Sequence, residues 1–139
     1  MRIAVDTNVL VRFLTWDDEV QASRAAKAMA EADMVVVPTV VLCEVVWVLR
    51  RAYRYSGSEV AKILHRLADS REIEIDRPAT EAGLALLEAG GDFADGVILF
   101  EAKRNRCDHL VTFDRALHRH SAGSDVLLLD QEAELVGDK

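Results

Sequence analysis

Short apolar runs alternate with helix-length stretches along this chain, and that alternation restricts the folds open to it more than any single residue does. Residues 3–5 lead straight into Asp6-Thr7-Asn8 and then into a helically spaced apolar stretch ending at Leu14. Residues 34–37 form a second run, closed by Pro38, with the unbroken apolar character of a strand buried on both faces. Residues 72–75 alternate Glu-Ile-Glu-Ile, which predicts a strand with one polar face at a sheet edge. Residues 110–113 predict a further buried strand and residues 126–129 a last one. With helices between them, the order predicts an α/β fold with a central, mostly parallel sheet of about five strands flanked by helices.

At 139 residues the chain suits one domain spanning 1–139, with the polar tail 130–139 expected to fray. Its longest apolar stretch, residues 35–49, is interrupted by Pro38, Thr39 and Glu44, so nothing approaches the roughly 20 residues of a membrane span. No basic, then apolar, leader is visible, and a cytoplasmic protein is expected. The two cysteines, Cys43 and Cys107, have no metal-ligand pairing around them and are expected to be reduced packing residues. A net charge of −7 argues against a general nucleic-acid coat, yet permits a local basic rim around an acidic site.

The predicted helices place the chemistry. Residues 16–19 begin a helix whose apolar side is Val20, Ala25, Ala28, Met29 and Ala32. Thr39 starts another, running to about Tyr53 and apolar almost all round, which predicts a largely buried helix. Glu44 lies inside it, past the position a capping-box acid would occupy if Thr39 is the cap, and a carboxylate among apolar neighbours needs a partner. Arg50, Arg51 and Arg54 close that helix, where cations complement its dipole. A further helix spans residues 78–89 and stops at Gly90-Gly91. Asp92 then suits an N-cap and Asp95 the first turn of the next helix, a placement that capping alone accounts for. Asp6 is equally open to a capping explanation.

Asp114, however, follows its strand as Asp6 follows the first, and the C-terminal edge of a parallel sheet is where open α/β folds bind ligands. No Gly-rich phosphate loop and no Ser or Cys nucleophile with a base is evident. His118 and His120 lack a recognisable third metal ligand. Asp6, Glu44, Asp95 and Asp114, with Asn8 and Thr112 nearby, would make an oxygen-lined site for Mg²⁺ or Mn²⁺, whose charge would offset the repulsion among the acids.

Asp6-Thr7-Asn8 after the first strand, Glu44 in the helix after the second, Phe93-Ala94-Asp95-Gly96-Val97-Ile98, and Thr112-Phe113-Asp114-Arg115 together resemble the PIN-domain ribonucleases, and within them the VapC toxins of toxin–antitoxin pairs. The resemblance covers essentially the whole chain. It implies a metal site of Asp6, Glu44, Asp95 and Asp114, with Asn8 and Thr112 supporting metal, water or scissile phosphate. It also implies Mg²⁺- or Mn²⁺-dependent hydrolysis of RNA, a homodimer and a small antitoxin that blocks the site. Arg12, Arg50, Arg51, Arg54 and Arg115 become candidates for RNA phosphate contacts. Gly96 stands where alanine is often found, which should loosen its helix slightly. A catalytically silent PIN-like scaffold that only binds partners is the alternative. A phosphoacceptor receiver domain fits less well, because Asp6 is followed by Thr7-Asn8 and no lysine follows the last strand.

Overall fold

Side-chain caps and one tight helix crossing explain most of where the elements begin, end and pack. The computed structural model describes residues 1–121 and 125–129; the expected fraying of residues 130–139 lies outside them. The chain divides into two compact units, Met1–Glu81 and Ala82–Lys139.

The first unit contains β1 (Arg2–Ala4), α1 (Thr7–Thr15), α2 (Glu19–Glu31), β2 (Met34–Val36), α3 (Thr39–Arg51), α4 (Gly57–Asp69) and β3 (Ile73–Glu74). Its strands lie in the order β1-β2-β3, every pair parallel, with Val35 opposite both Ile3 and Ile73. Val35 on the middle strand is buried, whereas β3 lies at an edge with Glu74 outward, bound by Arg2 at 3.0 and 3.1 Å. That explains the strict alternation of residues 72–75. Asp18 caps α2 by accepting the Gln21 amide at 3.0 Å. Ser56 and Glu59 form a reciprocal capping box on α4, and the bond from the Ser56 amide holds the Glu59 carboxyl below the usual carboxylate range. α1 packs on α2 and α3, and α4 packs on α3 and β3.

α5 (Arg77–Glu88) carries the chain into the second unit, which holds α6 (Phe93–Arg104), β4 (Leu110–Thr112), α7 (Arg115–His120) and β5 (Val126–Leu128). β4 and β5 pair in parallel, Leu110 opposite Val126 and Thr112 opposite Leu128. Leu86, Leu117 and Val126 are buried together, with Leu99 and Leu110 packed against them. Among the described residues the strands form a three-stranded and a two-stranded ladder, each parallel within itself, and the chain is α/β as the alternation required.

Several local expectations need correction. The N-cap of α3 is Pro38, which makes no side-chain cap bond, and the helix stops at Arg51. α3 is buried on one face only, through Val41, Leu42, Val45, Val46 and Leu49; Val40 is 65% exposed and Trp47 60%. Glu44 lies at helical spacing between those two and is exposed, so burial does not explain it. On α2 the buried residues are Ala22, Ala25 and Met29, while Val20 and Ala28 face water. Just beyond β4, Phe113 is 76% exposed, and Val111 is half-exposed, so that strand is not buried on both faces. Cys107 is exposed and has no packing role, unlike half-buried Cys43.

Gly96 is no mere loosening of α6. A Cβ there would lie 2.5 Å from the Ala82 carbonyl oxygen and 2.8 Å from the Gly83 Cα, and a Cβ on Gly83 would meet the Phe93 ring at 2.6 Å. Two glycines thus let α5 and α6 cross backbone against backbone, with Phe93 fully buried beside them.

Candidate active site

Each unit presents a carboxylate just past the end of a parallel strand, Asp6 after β1 and Asp114 after β4, and each is aimed by capping bonds from the helix that follows it. In the first unit Asp6 follows β1 and caps α1, its Oδ1 accepting the Val9 amide at 3.0 Å. Capping thus engages one oxygen and leaves Oδ2 without a partner among the described residues. Cap and ligand are compatible roles for Asp6. Thr7, one residue on, donates from Oγ1 to Glu44 Oε1 at 2.6 Å and so ties the first turn of α1 to the middle of α3. This bond gives Glu44 a partner, but at an exposed position, where a carboxylate needs none on account of burial. Thr7 itself was overlooked; the only signal was its place between Asp6 and Asn8. Asn8 is exposed in the first turn of α1 and lines a cavity that also reaches Asp6.

In the second unit Asp114 follows β4 and caps α7, its Oδ1 accepting the amides of Ala116 and Leu117 at 2.8 and 3.3 Å. Thr112 Oγ1 accepts the Asp114 amide at 2.9 Å and fixes the turn that carries the carboxylate. Asp92 caps α6, and Asp95 lies in that helix's first turn, both as expected. Asp92, Asp95, Asp114 and His120 line one cavity of about 260 Å³. Burial pushes the half-buried Asp95 carboxyl above the ordinary aspartate value of 3.8, and the negative charges of Asp92 and Asp114 push it further. His120 was passed over in the sequence because residue spacing shows no third ligand. It comes to the cavity as the last residue of α7 and lies beside Gly91.

Apart from His120 the donors are carboxylate and hydroxyl oxygens, which fit a hard divalent cation, and positive charge beside Asp95 would relieve the repulsion that raises its pKa. Among the described residues no three His, Cys, Asp or Glu side chains are close enough to hold one ion together. Arg12, a candidate for RNA contact, is otherwise engaged: it donates to Gln21 Oε1 at 2.8 Å, to Asp17 at 3.1 and 3.3 Å and to the Tyr53 hydroxyl at 3.3 Å. Arg51 lies over the Trp47 ring at 5.9 Å. Arg50 and Arg54 are exposed. No helix among the described residues is long and apolar enough to cross a membrane.

The cap and the expected metal-ligand role of Asp6 can be told apart by substitution. Asp6→Ala should cost the metal-free protein about 1 kcal/mol through loss of the cap, whereas Asp6→Asn, still able to accept the Val9 amide, should leave stability unchanged or slightly higher. Added Mn²⁺ should raise the melting temperature of wild type and do so much less for either variant. Equal shifts in all three would show that Asp6 is no metal ligand.

A search of curated proteins finds no match to the chain. Residues 3–123 match the PIN domain, a family of nucleases that generally use divalent metals. With strand-end carboxylates in both units and the match running through both, the chain belongs to the PIN-domain family.

Proposed function

We propose that the protein is a Mg²⁺- or Mn²⁺-dependent endoribonuclease and the toxin of a VapC-type toxin–antitoxin pair. In this reading residues 1–139 work as a single PIN domain, with Asp6, Glu44, Asp95 and Asp114 as the metal site and Asn8 and Thr112 in support. The observation that carries it is the half-buried Asp95 carboxyl, which shares one cavity with the carboxylates of Asp92 and Asp114 in a PIN-family chain. A nuclease gains from such an arrangement; a partner-binding scaffold gains nothing from the repulsion.

A divalent cation bound there would supply positive charge to the phosphate oxygens and make a water acidic enough to attack phosphorus. The chain's own residues do the positioning. Thr7 holds Glu44 by Oε1 and leaves Oε2 to accept a proton from the attacking water. The amides of Ala116 and Leu117 hold Asp114 by Oδ1 and leave Oδ2 for the same role or for ligation. Thr112 keeps the Asp114 turn in place. The toxin reading adds a homodimer and a small antitoxin as partners.

The test is cleavage of mixed-sequence single-stranded RNA with Mn²⁺. Internal fragments should form, and should vanish with EDTA. Cleavage that persists in EDTA, or RNA that stays intact under every divalent metal, overturns the reading. Expression of the chain without its genomic neighbours should arrest growth, and Asp114→Asn should relieve the arrest.

A further inference from the structure

A cavity of about 330 Å³ lies between α1 and α2, and Asp6 forms part of its wall. Its size is that of a small-ligand pocket, for which the range starts near 300 Å³, so it admits about one nucleotide. On the α2 side, Gln21, Arg24 and Ala28 succeed one another at spacings of three and four residues and so share one helical face. On the α1 side are Asn8 and Val9.

The polar groups of this wall differ sharply from the rest of an acidic protein. Arg12 donates from Nε to Gln21 Oε1 at 2.8 Å, which fixes the amide and leaves its NH₂ end as the donor. Arg24 is exposed, and no acidic group among the described residues pairs with it. Arg12 is the contrasting case, since Asp17 neutralises it at 3.1 Å. The cavity therefore combines an unneutralised guanidinium, two side-chain amides and a small apolar wall of Val9 and Ala28, and it adjoins a strand-end carboxylate. Guanidinium suits phosphate, amides suit base edges, and alanine-sized side chains leave room for a flat ring.

We propose that this cavity is a nucleotide subsite of the RNA, taking the nucleotide next to the cleaved phosphate. Arg24 holds that nucleotide's backbone phosphate, while Gln21 and Asn8 meet the edge of its base. The inference rests on the ribonuclease reading for its substrate, and on Asp6 for its position beside the chemistry. Arg24 acts on binding alone.

The experiment measures three quantities for the full chain: affinity for a labelled single-stranded RNA 20-mer in EDTA across a salt series, steady-state cleavage in Mn²⁺, and Mn²⁺ affinity. Arg24→Gln should weaken RNA binding and raise KM by roughly tenfold, and should reduce the salt slope by about 0.7, the value for one phosphate contact on a single strand. Its kcat and Mn²⁺ affinity should stay at wild-type values. Arg24→Lys should recover most of the slope, because a phosphate contact needs the charge and not the fork. Ala28→Leu, a change at an exposed position that fills the cavity, should raise KM without touching the salt slope.

RNA affinity, slope and KM unchanged in both Arg24→Gln and Ala28→Leu would overturn the subsite while wild-type cleavage keeps the ribonuclease reading intact. Wild type that binds RNA through Arg24 but cuts nothing would overturn the ribonuclease reading, and with it the placing of the subsite beside a cleaved phosphate, while keeping the cavity as a nucleotide-binding site. If RNA affinity is unchanged while binding of a poly-glutamate peptide is lost in Arg24→Gln, the cavity belongs to an acidic protein partner and the proposal fails.

Discussion

Replacing Asp95 by Asn is expected to lower Mn²⁺-dependent RNA cleavage about a thousandfold, which corresponds to roughly 4 kcal/mol of transition-state stabilisation. The amide keeps the shape of the side chain in the first turn of α6 and removes the negative charge. The same substitution should act in the opposite direction on the fold. Burial and the charges of Asp92 and Asp114 raise the Asp95 pKa above its ordinary 3.8. A carboxyl whose folded pKa is raised stabilises the folded state below its unfolded value, and that stabilisation is lost as pH rises through the folded value. Metal-free Asp95→Asn should therefore melt above wild type near neutral pH, and the gap should close as pH is lowered past the usual aspartate range. Full cleavage activity in the variant would remove Asp95 from the chemistry, and a melting gap independent of pH would remove the electrostatic account of its environment.

Gly96→Ala should destabilise the protein by about 2 kcal/mol, although alanine is the better helix former by about 1 kcal/mol. The added methyl would fall 2.5 Å from the Ala82 carbonyl oxygen and 2.8 Å from the Gly83 Cα, both backbone atoms that cannot rotate away. Relief requires α5 and α6 to separate, which uncovers Phe93. From residue type alone the opposite sign is expected, a small gain in helix stability. Denaturant midpoints of wild type and Gly96→Ala decide between the two. If the variant is as stable as wild type or more so, the close crossing does not set the residue at this position.

These two substitutions mark different degrees of legibility. Asp95 could be found in the sequence because its signals are local: a capping aspartate, Asp92, and a second aspartate three residues on in the first turn of the helix it caps. The same holds for Asp6 and Asp114, which end short apolar strands, and for the parallel α/β arrangement, which follows from apolar runs too short for helices separated by helix-length connections. Strand positions and the edge character of β3 were readable for the same reason, since each depends on neighbours a few residues away.

What only the tertiary structure decided depends on atoms distant in sequence. Glu44 drew notice as an acid in an apolar helix, but it lies on the exposed side of α3 and owes its orientation to Thr7, 37 residues earlier. Apolar composition says how much surface a helix can bury and not which face finds a neighbour, so Val40 and Trp47 were misjudged with it. Arg12 and Arg24 line the same cavity, yet Arg12 is neutralised by Asp17 and tied to the Tyr53 hydroxyl 41 residues on, while no acidic group among the described residues pairs with Arg24. Gly96 is required by the backbone of Ala82 and Gly83, on the preceding helix. Local periodicity determined the elements and the acids they carry; close approach between elements determined which side chains are aimed, neutralised or forbidden.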